Sequence, residues 1–210
     1  MPRSMDADPL DLALVAAVGA RLCHDLTGPV SAVVNGVEIA GEGGADAAEA
    51  LALVARSAET AAARLRFLRI AFGPVLGPSA LSAIEFGGIA AAYFAPTRAT
   101  LHWPARPVDP PGGTKLAALV LLLAEEAVPL GGTVRVACEA GRLEVRTVPV
   151  RGGGLRPEVE AALDGRWADG SARAAPGYLA YRVARANGID LRHADTSDGL
   201  VITARTGHVP

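Results

Sequence analysis

Over the first seventy or so positions the apolar residues recur every three or four places. Between residues 9 and 40, Val15, Val18, Leu22, Leu26, Pro29, Val33 and Val37 fall along one side of a chain wound at about 100° per residue, which predicts one long amphipathic helix. Asp8-Pro9 suits its start, an N-cap acceptor followed by proline at the first helical position. Its end is expected near Ala40, before Gly41-Glu42-Gly43-Gly44. Pro29 falls inside. The apolar period passes through it without a change of phase, so the pattern reads as one helix, bent just after His24 where proline removes a backbone hydrogen bond. A second helix is expected from Asp46 to about Phe72, with Leu51, Val54, Ala58, Ala61, Leu65, Leu68 and Phe72 as a heptad-type seam. Joined by a short glycine loop, the two make an antiparallel hairpin. One hairpin cannot enclose its seam, and the pattern therefore predicts a homodimer built as a four-helix bundle. The alternative is that the seam packs against the chain's own C-terminal half.

Breakers at Gly73-Pro74 and Gly77-Pro78 mark a linker between a hairpin domain, residues 1–73, and a second domain, residues 79–210. Ser79 is expected to cap the next helix, of about fifteen residues. Strands are expected at 100–103, 133–139, 142–150, 189–194 and 200–206, with hairpin turns at Ala140-Gly141 and Ser197-Asp198-Gly199. Helices are expected at 114–128, 157–163 and 176–186, the first apolar on most of its faces. The order predicts an α+β fold with helices covering one face of a mixed sheet.

Composition narrows the function. The 210 residues carry a formal net charge of −2, which argues against nucleic-acid binding, where phosphate contacts call for a basic excess. Cys23 and Cys138 have neither the number nor the spacing of a metal site or a disulfide framework, so a reduced, cytoplasmic protein is expected. Asp6, Asp8 and Asp11 stand where a signal peptide would be basic, and the longest apolar run, 116–124, is far short of the ~20 residues of a membrane span.

The candidate chemistry sits on the first helix. His24 lies about 200° round from Leu22, away from the apolar seam. Around it come Ala13, Ala17, Ala20, Thr27, Gly28, Ser31 and Asn35, all small or modestly polar, so another protein can reach the ring. Neutral imidazole is a competent nucleophile near neutral pH. Asp25, about 100° from His24, could orient the ring, accept its proton, or be an ordinary exposed carboxylate. Gly28 leaves room one turn on. Arg64, Arg66 and Arg69 of the second helix suit either an acidic partner or a solvated face. Cys23 reads as a core thiol near the seam, and His102, His193 and His208 as structural or exposed.

His24-Asp25-x-x-x-Pro29 resembles the phospho-acceptor box of sensor histidine kinases, and the elements that follow match the order of the kinase ATP-binding domain. The closer likeness is to the ChpT-type histidine phosphotransferases of alphaproteobacteria, which look like a kinase dimerisation hairpin joined to a histidine-kinase ATPase-like α/β sandwich domain that has lost its nucleotide site. The departures from the kinases fall on that site. The helix at 116–128 has no asparagine to hold Mg²⁺, and Val148-Pro149-Val150-Arg151-Gly152-Gly153-Gly154 stands where the kinases have Asp-x-Gly-x-Gly. The second glycine box is reduced to Gly177-Tyr178-Leu179-Ala180. The Gly152–Gly154 run could cradle a phosphate, but the surrounding motif is missing.

The resemblance implies that His24 accepts a phosphoryl group and that Asp25 orients it or takes its proton. It implies receiver docking across Ala20, Arg21, Thr27, Gly28, Ser31, Asn35 and Arg64, with Pro29 as the helix kink. It further implies relay from the receiver of a hybrid histidine kinase to response regulators of the cell-cycle transcription and proteolysis-control types. Each receiver would bring its own Mg²⁺ and lysine, leaving this chain with no cofactor or metal of its own. Two rivals stay open: an ATP-dependent sensor histidine kinase core, and a pseudokinase scaffold that docks receivers without taking their phosphate.

Overall fold

The computed structural model describes residues 9–74, 81–167 and 170–207. Asp8 and Ser79, expected as caps, and His208 lie outside the described residues, as does most of the linker. Helix α1 runs from Pro9 to Glu42 with Pro29 inside it, and α2 from Ala47 to Phe72. Asp46 precedes α2 without a side-chain capping bond. The two helices pack closely at Gly36, where an added Cβ would lie 2.7 Å from a Val54 methyl carbon and 3.2 Å from the Ala50 carbonyl oxygen. A larger residue there would push the helices apart.

Helix α3, Ala83–Phe94, opens on a reciprocal capping box between Ser82 and Glu85. The cap expected at Ser79 is thus made by Ser82, because its partner Glu85 stands three residues on. Strand β1, Ala99–His102, leads to α4, Gly113–Glu126. Strands β2, Gly132–Glu139, and β3, Arg142–Pro149, form one hairpin; after α5, Pro157–Leu163, and α6, Ala175–Ala186, strands β4, Ile189–Thr196, and β5, Gly199–Thr206, form another. The sheet order is β1-β2-β3-β5-β4, parallel between β1 and β2 and antiparallel elsewhere. Val134, Val136, Cys138, Leu143, Val145, Leu200, Ile202 and Ala204 turn toward the helices and are buried, while their neighbours in sequence are more exposed, the period-two pattern of a sheet covered on one face.

Residues 116–124 of α4 are buried throughout, which explains why that run shows no amphipathic period. Against them pack Phe67, Leu68 and Ala71 of α2, with the Phe67 ring 4.2 Å from that of Tyr93 and 5.9 Å from that of Phe86. The core is therefore continuous from the hairpin into the sheet layer.

This corrects part of the hairpin reading. Leu14, Ala17 and Asp25 of α1 are buried, a set centred about a quarter turn from the apolar seam. Val18, Leu22 and Leu26 of the seam are half-buried, whereas Val15 is 71% and Val37 54% exposed. The chain's own packing takes one edge of the seam and leaves the other open. Ala17, expected on the outer face, is on the buried side, and Cys23, expected as a core thiol, is exposed because the buried side faces away from it.

Candidate functional site

The middle of α1 carries His24 out from the hairpin; its side chain is 82% exposed. Ala20, Thr27, Gly28, Ser31 and Asn35 are exposed on the same flank. Apart from its chain neighbours, nothing lies within 4 Å of where a Cβ on Gly28 would be, so the fold's one use for glycine there is local, the crowding of a helical Cβ against the Pro29 ring that follows. A helix-interior glycine is less favourable than alanine by about 1 kcal/mol, and what it leaves beside His24 is open space.

Asp25 points the other way. It is 7% exposed, and its carboxylate bridges two partners. Oδ1 lies 3.1 Å from His24 Nδ1, and Oδ2 accepts from Arg21 Nε at 2.9 Å. An ionised carboxylate can only accept, so Nδ1–H donates and the free lone pair of the ring is on Nε2, directed to solvent. Of the readings open for Asp25, the exposed carboxylate is ruled out by its burial.

Behind Asp25 a polar cluster links the hairpin to α4. Arg21 Nη1 stands 3.7 Å from Glu126 Oε2, and Arg173 Nη1 stands 3.5 Å from Glu126 Oε1. Tyr93 Oη donates to Glu125 Oε2 at 2.6 Å. Burial raises the Glu125 carboxyl above the usual range, against the Tyr93 hydroxyl and the charges of Arg21 and Arg64. Glu126 is raised for the same reason, against Arg21 and Arg173. Burial alone would lower Arg21; Asp25 and Glu126 outweigh it and hold the guanidinium above its ordinary value. Arg21, expected to dock a partner, is thus largely committed within the chain. So is Arg64, whose Nη1 donates to the Asp25 carbonyl oxygen at 2.7 Å. Arg66 and Arg69 are exposed, as is His102, and His193 Nε2 lies 3.2 Å from Asp164 Oδ1.

Sequence reasoning missed Glu125, Glu126, Tyr93 and Arg173. A signal existed for two of them: adjacent carboxylates close an otherwise apolar helix at its C-terminus, the end where the helix dipole disfavours negative charge. The Gly152–Gly154 run lines an open pocket together with Arg135, Asp195 and Asp198. Asp195 and Asp198 bring two carboxylates to that lining against the one guanidinium of Arg135, a net negative setting for a phosphate.

The chain matches the histidine phosphotransferase C-terminal domain family over residues 85–199, more than half its length. It is 39% identical over 150 residues to the protein phosphotransferase ChpT of Brucella abortus (strain 2308), covering 69% of this chain and 70% of that one. It belongs to the ChpT-type histidine phosphotransferases. A solved bacterial phosphotransferase of 29% identity superposes with a TM-score of 0.78 and covers 96% of this chain and 98% of its own. Membership in the phosphotransferase family accounts for the hairpin-plus-sheet architecture and makes phosphotransfer the activity to be explained. The family match lies wholly beyond the hairpin, so the choice of His24 rests on the geometry of α1.

Proposed function

We propose that His24 relays a phosphoryl group between receiver aspartates. The observation that carries this reading is the pairing of an exposed His24 ring with a buried Asp25 carboxylate at Nδ1, which leaves Nε2 free and outward. In the first half-reaction the Nε2 lone pair attacks phosphorus of a receiver's aspartyl phosphate. The P–N bond forms as the P–O bond to the aspartate breaks, and that electron pair returns to the receiver carboxylate. The imidazolium formed keeps its Nδ1 proton against Asp25, which offsets the positive charge. In the second half-reaction another receiver's carboxylate takes phosphorus from Nε2 and the ring returns to neutral. Positioning and charge neutralisation carry such transfers. Mg²⁺ and a lysine come with each receiver.

The donor is the receiver of a hybrid histidine kinase, and the acceptors are response regulators of the cell-cycle transcription and proteolysis-control types. They meet the face formed by Ala20, Thr27, Gly28, Ser31 and Asn35. The chain works in the cytoplasm without binding ATP; the missing adenine and magnesium motifs and the carboxylates beside Gly152–Gly154 support that. It works as a homodimer, supported by the open apolar face of Leu12, Val15, Val30, Val34 and Val37. The test is a phosphotransfer profile against every receiver of the source organism, run with the native protein and with His24→Ala. Transfer that survives the substitution refutes the relay and leaves a docking scaffold. Stable labelling by ATP and Mg²⁺ alone refutes it in favour of a kinase.

A further inference from the structure

In an α-helix each carbonyl accepts from the N–H four residues on, so the carbonyl of Asp25 falls to residue 29. Residue 29 is proline and has no N–H to give. The orphaned carbonyl belongs to the residue that holds the His24 ring, and α1 nevertheless continues through Pro29 without interruption. The missing donor comes from the neighbouring helix: Arg64 Nη1, 39 residues further along the chain, stands 2.7 Å from Asp25 O in a partly buried setting. A guanidinium makes a charge-assisted bond of this kind, stronger than the amide bond it replaces. The charge of the same guanidinium opposes the rise of the Glu125 carboxyl on α4.

We propose that Arg64 is a positioning residue. It substitutes for the N–H absent from Pro29 at the Asp25 carbonyl, so that α2 fixes the turn of α1 that presents His24 Nε2. This rests on the reading of His24 as phospho-acceptor, and it takes Arg64 off the docking face.

The experiment is a double-substitution cycle, which isolates the coupling between the two sites. Transfer from a radiolabelled, phosphorylated receiver domain of a hybrid histidine kinase is followed at a series of receiver concentrations. Arg64→Met keeps the stem and removes the donor. The saturated rate is expected to fall about tenfold, roughly 1.4 kcal/mol in the barrier, with little change in the half-saturating concentration. Arg64→Lys, which keeps a donor, recovers part of the loss. Pro29→Ala restores the helical N–H, and in that background Arg64→Met should change the rate by less than about threefold, because Asp25 O is already bonded. An equal loss in both backgrounds overturns the proposal, as does an effect confined to the half-saturating concentration, which would mark a docking contact. Should Arg64→Met fail to fold, the doubly substituted protein must fold and transfer within about threefold of the rate of Pro29→Ala; its failure also overturns the proposal. The His24→Ala control separates the two layers: label retained by that variant removes the phospho-acceptor, whereas label lost there with no Arg64–Pro29 coupling removes only the positioning role.

Discussion

His24 and Asp25 are neighbours in the chain, yet their side chains are 82% and 9% exposed, joined by a contact of 3.1 Å between Nδ1 and Oδ1. One residue stands open to solvent and the other anchors it to the interior. Asp25→Asn keeps the shape of the side chain, removes its charge and leaves one acceptor oxygen for two donors, Arg21 Nε–H and His24 Nδ1–H, so the ring loses the charge that offsets its own and competes for the remaining acceptor. The folded content by circular dichroism should be unchanged. The rate of phosphoryl transfer through His24 should drop at least about tenfold, or ~1.4 kcal/mol in the barrier, measured by rapid quench from a labelled receiver. A wild-type rate in the Asn variant would leave Asp25 a packing residue.

Gly28 separates a demand of the fold from a demand of function. Apart from its chain neighbours a methyl group there meets nothing within 4 Å, and the gain of alanine as a helix former, about 1 kcal/mol, is opposed by its crowding against the Pro29 ring. Gly28→Ala should therefore leave the melting temperature within about 2–4 °C of the native value while lowering receiver-dependent transfer by about tenfold, since the methyl stands in the space a receiver would occupy. Calorimetry and transfer rates on the same sample check both. Transfer at the native rate would mean that the glycine serves no partner.

Much of this was legible in the sequence because it depended on local periodicity. The phase of Val33 and Val37 carried α1 through Pro29, and the alternation along β2 and β3 gave the strands nearly to the residue. The His24 side of the helix could be placed because it lies about 200° round from the apolar seam. What could not be read was which edge of the apolar seam the chain's own body would cover. That depends on how α2 and α6 pack against α1, a relation between residues distant in the chain. Cys23 and Ala17 were misplaced for that one reason. The network of Glu125, Glu126, Tyr93 and Arg173 is assembled from three distant stretches and leaves only the unusual acidic end of α4 as a trace.

The open edge of the seam tests the oligomeric state. Val37 is 54% exposed in the single chain, and in a symmetric pair each substitution acts twice. Val37→Glu should then cost the dimer about 3 kcal/mol or more, weakening association roughly a hundredfold. The helical signal should persist, since the side chain supports little within one copy. Light scattering behind size-exclusion chromatography at micromolar concentration should read a dimer for the native chain and a monomer for the variant. A native chain that elutes as a monomer removes the bundle from the proposal.

Glu125 gives a pH-dependent prediction. Burial holds its carboxyl above the usual range, with the Asp25 charge adding to the rise and Tyr93, Arg21 and Arg64 opposing it. A carboxyl raised in the folded state favours folding while it is protonated, below its unfolded value of about 4.3, and that contribution is lost as pH rises through the higher folded value. Near neutral pH the native protein therefore bears the cost of a buried charge. Glu125→Gln cannot ionise, and its amide oxygen still accepts from the Tyr93 hydroxyl, 2.6 Å away in the native pair. The variant should melt above the native protein at pH 7.5, and the difference should shrink toward zero as the pH is brought down to about 4. Thermal melts across that range decide it: a variant less stable at pH 7.5 would show that the arginines more than compensate the buried carboxylate.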